Sequence, residues 1–222
     1  MKYNSAFEII GPIMVGPSSS HTAGAVRIGN LARQILDDEP RRIEFQLMGS
    51  FAETYQGHGT DLALLAGVLG LPTDHPDVAN AQQKAVEAGL AYHFKKANLG
   101  FFHPNTVAIH MEGTQRQTKL IASSLGGGKV EVQELEGLPL KFTGEKPTLI
   151  LYHKDEKGFL ARVSQILDAE GHNIARLMLE RWARGGAAVT VCEVDEQVPA
   201  DMLQVLKNAI PCLKDIRVVN TV

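Results

Sequence analysis

The 222-residue sequence predicts an α+β protein of two domains, 1–145 and 148–222. Three observations carry this expectation. Helical stripes over the first hundred residues are followed by a group of strand candidates, the arrangement of segregated layers rather than of a regularly alternating parallel sheet. Glycine, proline and charge crowd into EGLPLKFTGEKP at 136–147, where nothing demands a core position and a domain boundary fits. From Thr148 onward the order becomes βαββαβ in about 75 residues, the ferredoxin-like arrangement of two helices on one face of a four-stranded sheet.

The elements follow in order. A short helical segment is expected from near Ser5, and GPIMVGPSSSHTAG then gathers glycine, proline and serine into a loop without regular structure. Ile28, Leu31, Ala32 and Ile35 fall on one face of a helix that Pro40 should end. Residues 42–48 alternate, with Ile43, Phe45 and Leu47 on one side, as a half-buried strand does. A second polar loop, SFAETYQGHGTD, feeds a helix striped by Leu62, Leu65, Ala66 and Leu69. A helical stretch from about Asn80 to Tyr92 precedes strands at 105–111, 118–125 and 128–135, with Gly126–Gly128 as the last turn.

In the second domain TLILY is an apolar strand, and Phe159, Val163, Ile166 and Leu167 share a helix face. The strands NIARLMLE and AAVTVCEV flank a turn at Arg184–Gly186. A helix carrying Leu203, Leu206 and Ile210 leads to a last strand, DIRVV.

Composition narrows the function. Lysine and arginine number 22 against 25 aspartates and glutamates, a net charge of −3, and neither domain carries the basic field that nucleic-acid binding needs. No apolar run approaches the roughly 18 residues of a membrane span, and the N-terminus lacks a signal-peptide core; a cytoplasmic protein is expected. Cys192 and Cys212 are the only cysteines and sit among apolar neighbours, where thiols are usually small core residues. Two cysteines cannot complete a four-thiolate cluster or zinc site, so any metal ligands must come from another chain.

Two polar loops stand out because each feeds a helix N-terminus: Ser18, Ser19, Ser20, His21 and Thr22 in the first, His58 and Thr60 in the second. Unpaired N–H groups and hydroxyls at such a place suit a carboxylate, although a lone serine before a helix is most often only an N-cap. A histidine exchanges protons near neutral pH, and Gly57 and Gly59 allow close backbone approach. His103 and Asn105, in FFHPNT, are candidates to line the same cleft, although a turn before a strand would need them anyway. His75, His93 and His172 read as surface residues.

The segments GPIMVGPSSSHTAGAVRIG, MGSFAETYQGHGTDLALLAGVLG and FHPNTVAIHM resemble the beta subunit of the iron-sulfur-dependent L-serine dehydratases, and the resemblance runs over essentially the whole chain. That family's beta domain is in turn similar to the allosteric substrate-binding domain of phosphoglycerate dehydrogenase. The resemblance implies conversion of L-serine to pyruvate and ammonia, with a 4Fe-4S cluster whose cysteines belong to an alpha chain. For this chain it implies substrate-binding by Ser18–Thr22, His103 and Asn105, and proton transfer around His58 and Thr60.

Residues 148–222 are similar to ACT domains, small modules that bind amino acids and usually pair with a second copy. The likeness to the serine-sensing ACT domain of phosphoglycerate dehydrogenase places its ligand residues on His153, Asp155 and Asn173, with Asp155 where that family has asparagine. A homodimer through this module is therefore expected. The alternative is a regulatory protein that senses an amino acid without chemistry of its own. A pyridoxal-phosphate lyase is disfavoured, because neither SSSHT nor GHGTD holds a lysine for a Schiff base.

Overall fold

The structure, a computed structural model, describes residues 12–221, which leaves the helix expected from near Ser5 outside the described residues. It is α+β and divides between Gly137 and Leu138 into two compact units.

The first unit opens with a π-helical turn, Ser19–Ala23, continuous with helix α1, Gly24–Leu36. The serine-rich segment is thus regular where a loop was expected, because Ser18 organises it. The Ser18 carbonyl accepts from the N–H groups of Thr22 and Ala23, and its hydroxyl accepts from that of His21. The predicted stripe of α1 is fully buried. Asp37, left-handed at φ 50°, ends the helix; Pro40 instead opens strand β1, Pro40–Met48.

Helix α2, Gly49–Thr54, occupies part of the second expected loop, anchored by the buried Phe51 and Ala52. Helix α3, Thr60–Val68, follows. It is buried nearly all round from Ala63 to Val68, as a helix enclosed on several sides must be. A 3-10 turn, Pro76–Asn80, leads into helix α4, Ala81–Glu87. The helix expected to reach Tyr92 stops there, and Gly89, at φ 65°, turns the chain. Residues Ala91–Lys96 form strand β2, parallel to β1, with Phe94 stacked on Phe45 at 4.6 Å.

Strands β3 (Thr106–Gly113), β4 (Gln117–Gly126) and β5 (Lys129–Leu135) complete a five-stranded sheet of order β2-β1-β3-β4-β5. The three glycines of the β4–β5 turn all take positive φ. Helices α1 and α3 cross with their backbones in contact: a Cβ on Gly67 would stand 2.0 Å from the Val26 carbonyl oxygen, and one on Gly29 2.5 Å from that of Leu64. The two helices that begin at the polar loops are therefore held at a fixed separation.

The second unit has β6 (Thr148–Lys154), α5 (Phe159–Ala169), β7 (Ile174–Arg181), β8 (Ala187–Val194), α6 (Ala200–Ala209) and β9 (Leu213–Val219). The sheet order β7-β8-β6-β9 is wholly antiparallel, the ferredoxin-like topology expected. Leu149, Leu151, Phe159, Val163, Leu167, Cys192, Leu206 and Ile216 are among its core residues. The preceding segment is not the core-free linker expected. Leu138, Leu140 and Phe142 are buried, because alternate residues of an extended chain share one side. His172, expected at the surface, is also buried. No helix among the described residues is long and apolar enough to cross a membrane.

Candidate functional site

The two motif loops meet at the His21 ring. Its Nδ1 lies 3.1 Å from the Ser20 hydroxyl and its Nε2 3.0 Å from the hydroxyl of Ser50, on α2. The Ser18 and Ser20 hydroxyls are 3.3 Å apart, which extends the row to Ser18–Ser20–His21–Ser50. From the second loop, the His58 ring stands 5.0 Å from that of His21, centroid to centroid. The Phe51 ring meets His21 edge-on at 5.3 Å. Thr22 ties the loops together by donating to the His58 carbonyl at 3.4 Å. Local sequence produces this: Gly59, left-handed at φ 65°, turns the His58 loop into α3.

Burial, and then the His58 ring, hold the His21 imidazole below its usual range, against a smaller opposing pull from Ser50. The ring is therefore uncharged near neutral pH, with a hydroxyl at each nitrogen fixing its orientation. Hydroxyls beside a neutral imidazole can donate to a carboxylate or a hydroxyl group without bringing fixed charge to the site. Ser18, Ser19, Ser20 and His21 are half-buried while His58 is exposed, so the row is open on the His58 side.

Other expected residues stand differently. The N–H groups of His21 and Thr22, expected to await an anion, are already taken by Ser18. Ser19 contributes a carbonyl to the turn, accepting from the Gly24 N–H. Thr60 is fully buried at the start of α3, so its hydroxyl does not line the open side. That hydroxyl and one oxygen of Asp61 have no hydrogen-bond partner among the described residues. Burial also raises the Asp61 carboxyl above the usual carboxylate range.

The loop bearing His103 and Asn105 joins through its backbone. The Phe51 N–H donates to the Pro104 carbonyl at 3.4 Å, and Gly49 is pressed so close that a Cβ there would stand 2.6 Å from the same oxygen. The Asn105 carbonyl accepts from Ser124 N–H at 2.9 Å. The His103 ring turns back to accept the Asn105 N–H at 3.1 Å, a turn-stabilising contact. Ser50 is the residue that motif reading missed: it lies in the MGSFAETYQGHGTD segment, but its spacing gives no sign of His21. Ser124 is fully buried against Gly24, its hydroxyl without a hydrogen-bond partner among the described residues.

His153, Asp155 and Asn173 each have partners within the second unit. His153 is buried and stacked on Phe159 at 3.5 Å, its ring nitrogens 2.9 Å from the Lys154 carbonyl and 3.0 Å from the Thr190 hydroxyl. The Asp155 carboxylate accepts from Arg181 at 2.6 Å and the Gly185 N–H at 2.8 Å. Asn173 donates to Asp195 at 2.6 Å.

Comparison with known proteins agrees with the motif loops. A family model described as serine dehydratase beta chain matches residues 5–91. The chain is 40% identical to a probable L-serine dehydratase beta chain of Bacillus subtilis, covering 93% of this chain and 94% of that one. It is 39% identical to the L-serine dehydratase beta chain of Peptoniphilus asaccharolyticus, covering 93% and 92%. A more distant likeness, 26% identity over 88% of this chain, reaches 37% of the D-3-phosphoglycerate dehydrogenase of Methanocaldococcus jannaschii.

Proposed function

The chain belongs to the serine dehydratase beta-chain family, and from that premise we propose that it is the beta subunit of a cytoplasmic L-serine dehydratase, active with an alpha chain. L-Serine loses its Cα proton and its β-hydroxyl, leaving as water; the resulting aminoacrylate tautomerises and is hydrolysed to pyruvate and ammonia. The single observation that carries the reading is the meeting of both motif loops at His21, with His58 on the open side of a hydroxyl row. Ser18 and whichever of Ser20 and Ser50 accepts the His21 ring N–H donate to the substrate carboxylate, the other donates to the bare ring nitrogen of His21, and the exposed His58 takes the Cα proton. Thr60, fully buried, does not touch the substrate.

The described residues of this chain do not fit a 4Fe-4S cluster. Among them no group of three or more histidine, cysteine or acidic side chains is placed to hold a metal. Cys192 and Cys212 are buried, and burial pushes the Cys192 thiol up to about 11, away from the thiolate that a cluster needs. In this reading the cluster's cysteines come from the alpha chain. The C-terminal unit is an amino-acid-sensing ACT module through which two copies pair. A ligand there would take Asp155 from Arg181 and Asn173 from Asp195, coupling occupancy to the β7–β8 turn.

The test is anaerobic assembly of this chain with its alpha chain, following pyruvate from L-serine. The pair should turn over and neither chain alone should. A pair that carries an intact cluster and makes no pyruvate would overturn the reading, and leave the ACT module as the chain's function.

A further inference from the structure

His58 presents an exposed ring, and among the described residues nothing hydrogen-bonds to that ring. Its place beside His21 is therefore set by the backbone that carries it. That backbone needs holding, because Gly57 and Gly59 flank it, and a glycine on either side leaves the segment free to take other conformations. Two tethers hold it. The His58 N–H donates to the Thr54 carbonyl at 3.0 Å, and Thr54 ends α2 with its own hydroxyl on the Ser50 carbonyl at 2.8 Å. The His58 carbonyl accepts from the Thr22 hydroxyl at 3.4 Å, a bond that reaches across 36 residues from the other motif loop.

Thr22 is 3% exposed, so its hydroxyl must find an acceptor inside the protein, and the His58 carbonyl is the one it meets among the described residues. Gly16 makes room for this side chain. A Cβ on Gly16 would stand 2.4 Å from the Thr22 Cγ2 and 2.7 Å from its Oγ1, so Thr22 occupies the space that any other residue at 16 would fill. Threonine, branched at Cβ, is stiff about χ1; with its methyl packed against Gly16, the hydroxyl is held toward His58. The segment that carries Gly16 is fixed in turn. The Val15 N–H donates to the Thr73 carbonyl, and the Thr73 hydroxyl donates to the Ile13 carbonyl, both at 2.8 Å.

We infer that Thr22 is a positioning residue: its hydroxyl, seated by Gly16, fixes the backbone at His58 so that the imidazole meets the Cα proton of the substrate. The inference rests on the proposed function, and what it adds is how the base is placed. The family resemblance implies a substrate-binding role for Thr22. A side chain buried to this degree, with its hydroxyl directed at a carbonyl, is not offered to a ligand. Proton transfer is nonetheless sensitive to such a tether, since a displacement near 1 Å costs about 100-fold in rate. Thr22 thus governs turnover without touching L-serine.

The experiment compares Thr22→Val, Thr22→Ser and His58→Ala in the anaerobically assembled pair, reading kcat and KM for L-serine from pyruvate formation. Thr22→Val keeps the shape of the side chain and removes the hydroxyl. Its kcat should fall at least about tenfold, the effect of one lost hydrogen bond, while KM stays within about twofold of the parent because the serine hydroxyls remain. Thr22→Ser, which keeps the hydroxyl, should recover kcat to within about threefold of the parent. Circular dichroism melting checks that the variants are folded, and Thr22→Ala repeats the test in place of a Thr22→Val protein that is not. A folded Thr22→Val pair with the parent kcat, or a Thr22→Ser pair as slow as Thr22→Val, overturns the inference. A loss confined to KM overturns it too, by returning Thr22 to the substrate. If His58→Ala itself keeps the parent kcat, the underlying reading falls instead.

Discussion

Replacing Gly67 by alanine tests whether the contact between α1 and α3 sets the site. On helix propensity alone the change should stabilise α3 by about 1 kcal/mol. Here the new Cβ would stand 2.0 Å from the Val26 carbonyl oxygen and 2.8 Å from both the Asn30 nitrogen and the Gly29 Cα. All three are backbone atoms that no rotamer change can move aside. Overpacking of this kind costs about 1–3 kcal/mol where side chains can adjust, and more where helices must part. The net expectation is a loss of about 2 kcal/mol, which lowers the melting temperature by roughly 4–8 °C for a protein of this size. Because α1 begins at the serine turn and α3 at the His58 loop, parting them also widens the 5.0 Å gap between the His21 and His58 rings. A displacement near 1 Å costs about 100-fold in turnover. Circular dichroism melting and pyruvate formation by the assembled pair read both effects. Gly89→Ala, where nothing lies within 4 Å of the new Cβ, should spare turnover. A Gly67→Ala protein that melts at or above the parent temperature would refute the reasoning.

Other expectations concern the site and the second unit. Ser50→Ala removes the partner of His21 Nε2 and should lower turnover by about tenfold, the worth of one hydrogen bond, with the melting temperature unchanged; full activity would remove Ser50 from the site. His21 and His153 both titrate below the ordinary imidazole value of 6.5. As pH falls past that value the unfolded chain protonates before the folded one, so their contribution, whole above 6.5, is lost as pH drops through the folded values. Urea midpoints should fall on acidification from pH 7, and by less in His153→Gln; an equal fall in that variant would contradict the assignment to His153. Asn173→Ala should weaken L-serine binding to the assembled protein in calorimetry if the second unit is the sensor, and unaltered binding would place the ligand elsewhere.

The second unit was legible almost throughout, because its apolar stripes switch cleanly between periods of two and near four and its turns carry glycine. The first was less so where short elements depend on distant partners. Helix α2 contributes only Phe51 and Ala52 to the core, too few for a periodic signal. Strand β2 follows α4 after only Ala88, Gly89 and Leu90, and its alternating Tyr92 and Phe94 gain meaning from Phe45, which lies far away in the sequence. The serine turn and His58 were visible as motifs, but their convergence on His21 and Ser50 depends on the crossing of α1 and α3. The roles of His153 and Asp155 were hidden for a similar reason. Their partners Thr190 and Arg181 lie 37 and 26 residues away, on β8 and β7.

The most direct measurement is pyruvate formation by the anaerobically assembled pair carrying Ser20→Ala and His58→Ala together, with cluster content and association checked against the parent. Loss of nearly all turnover with assembly intact is the predicted result. Turnover at the parent rate, with neither side chain present, would contradict the claim that these two loops bind L-serine and move its proton.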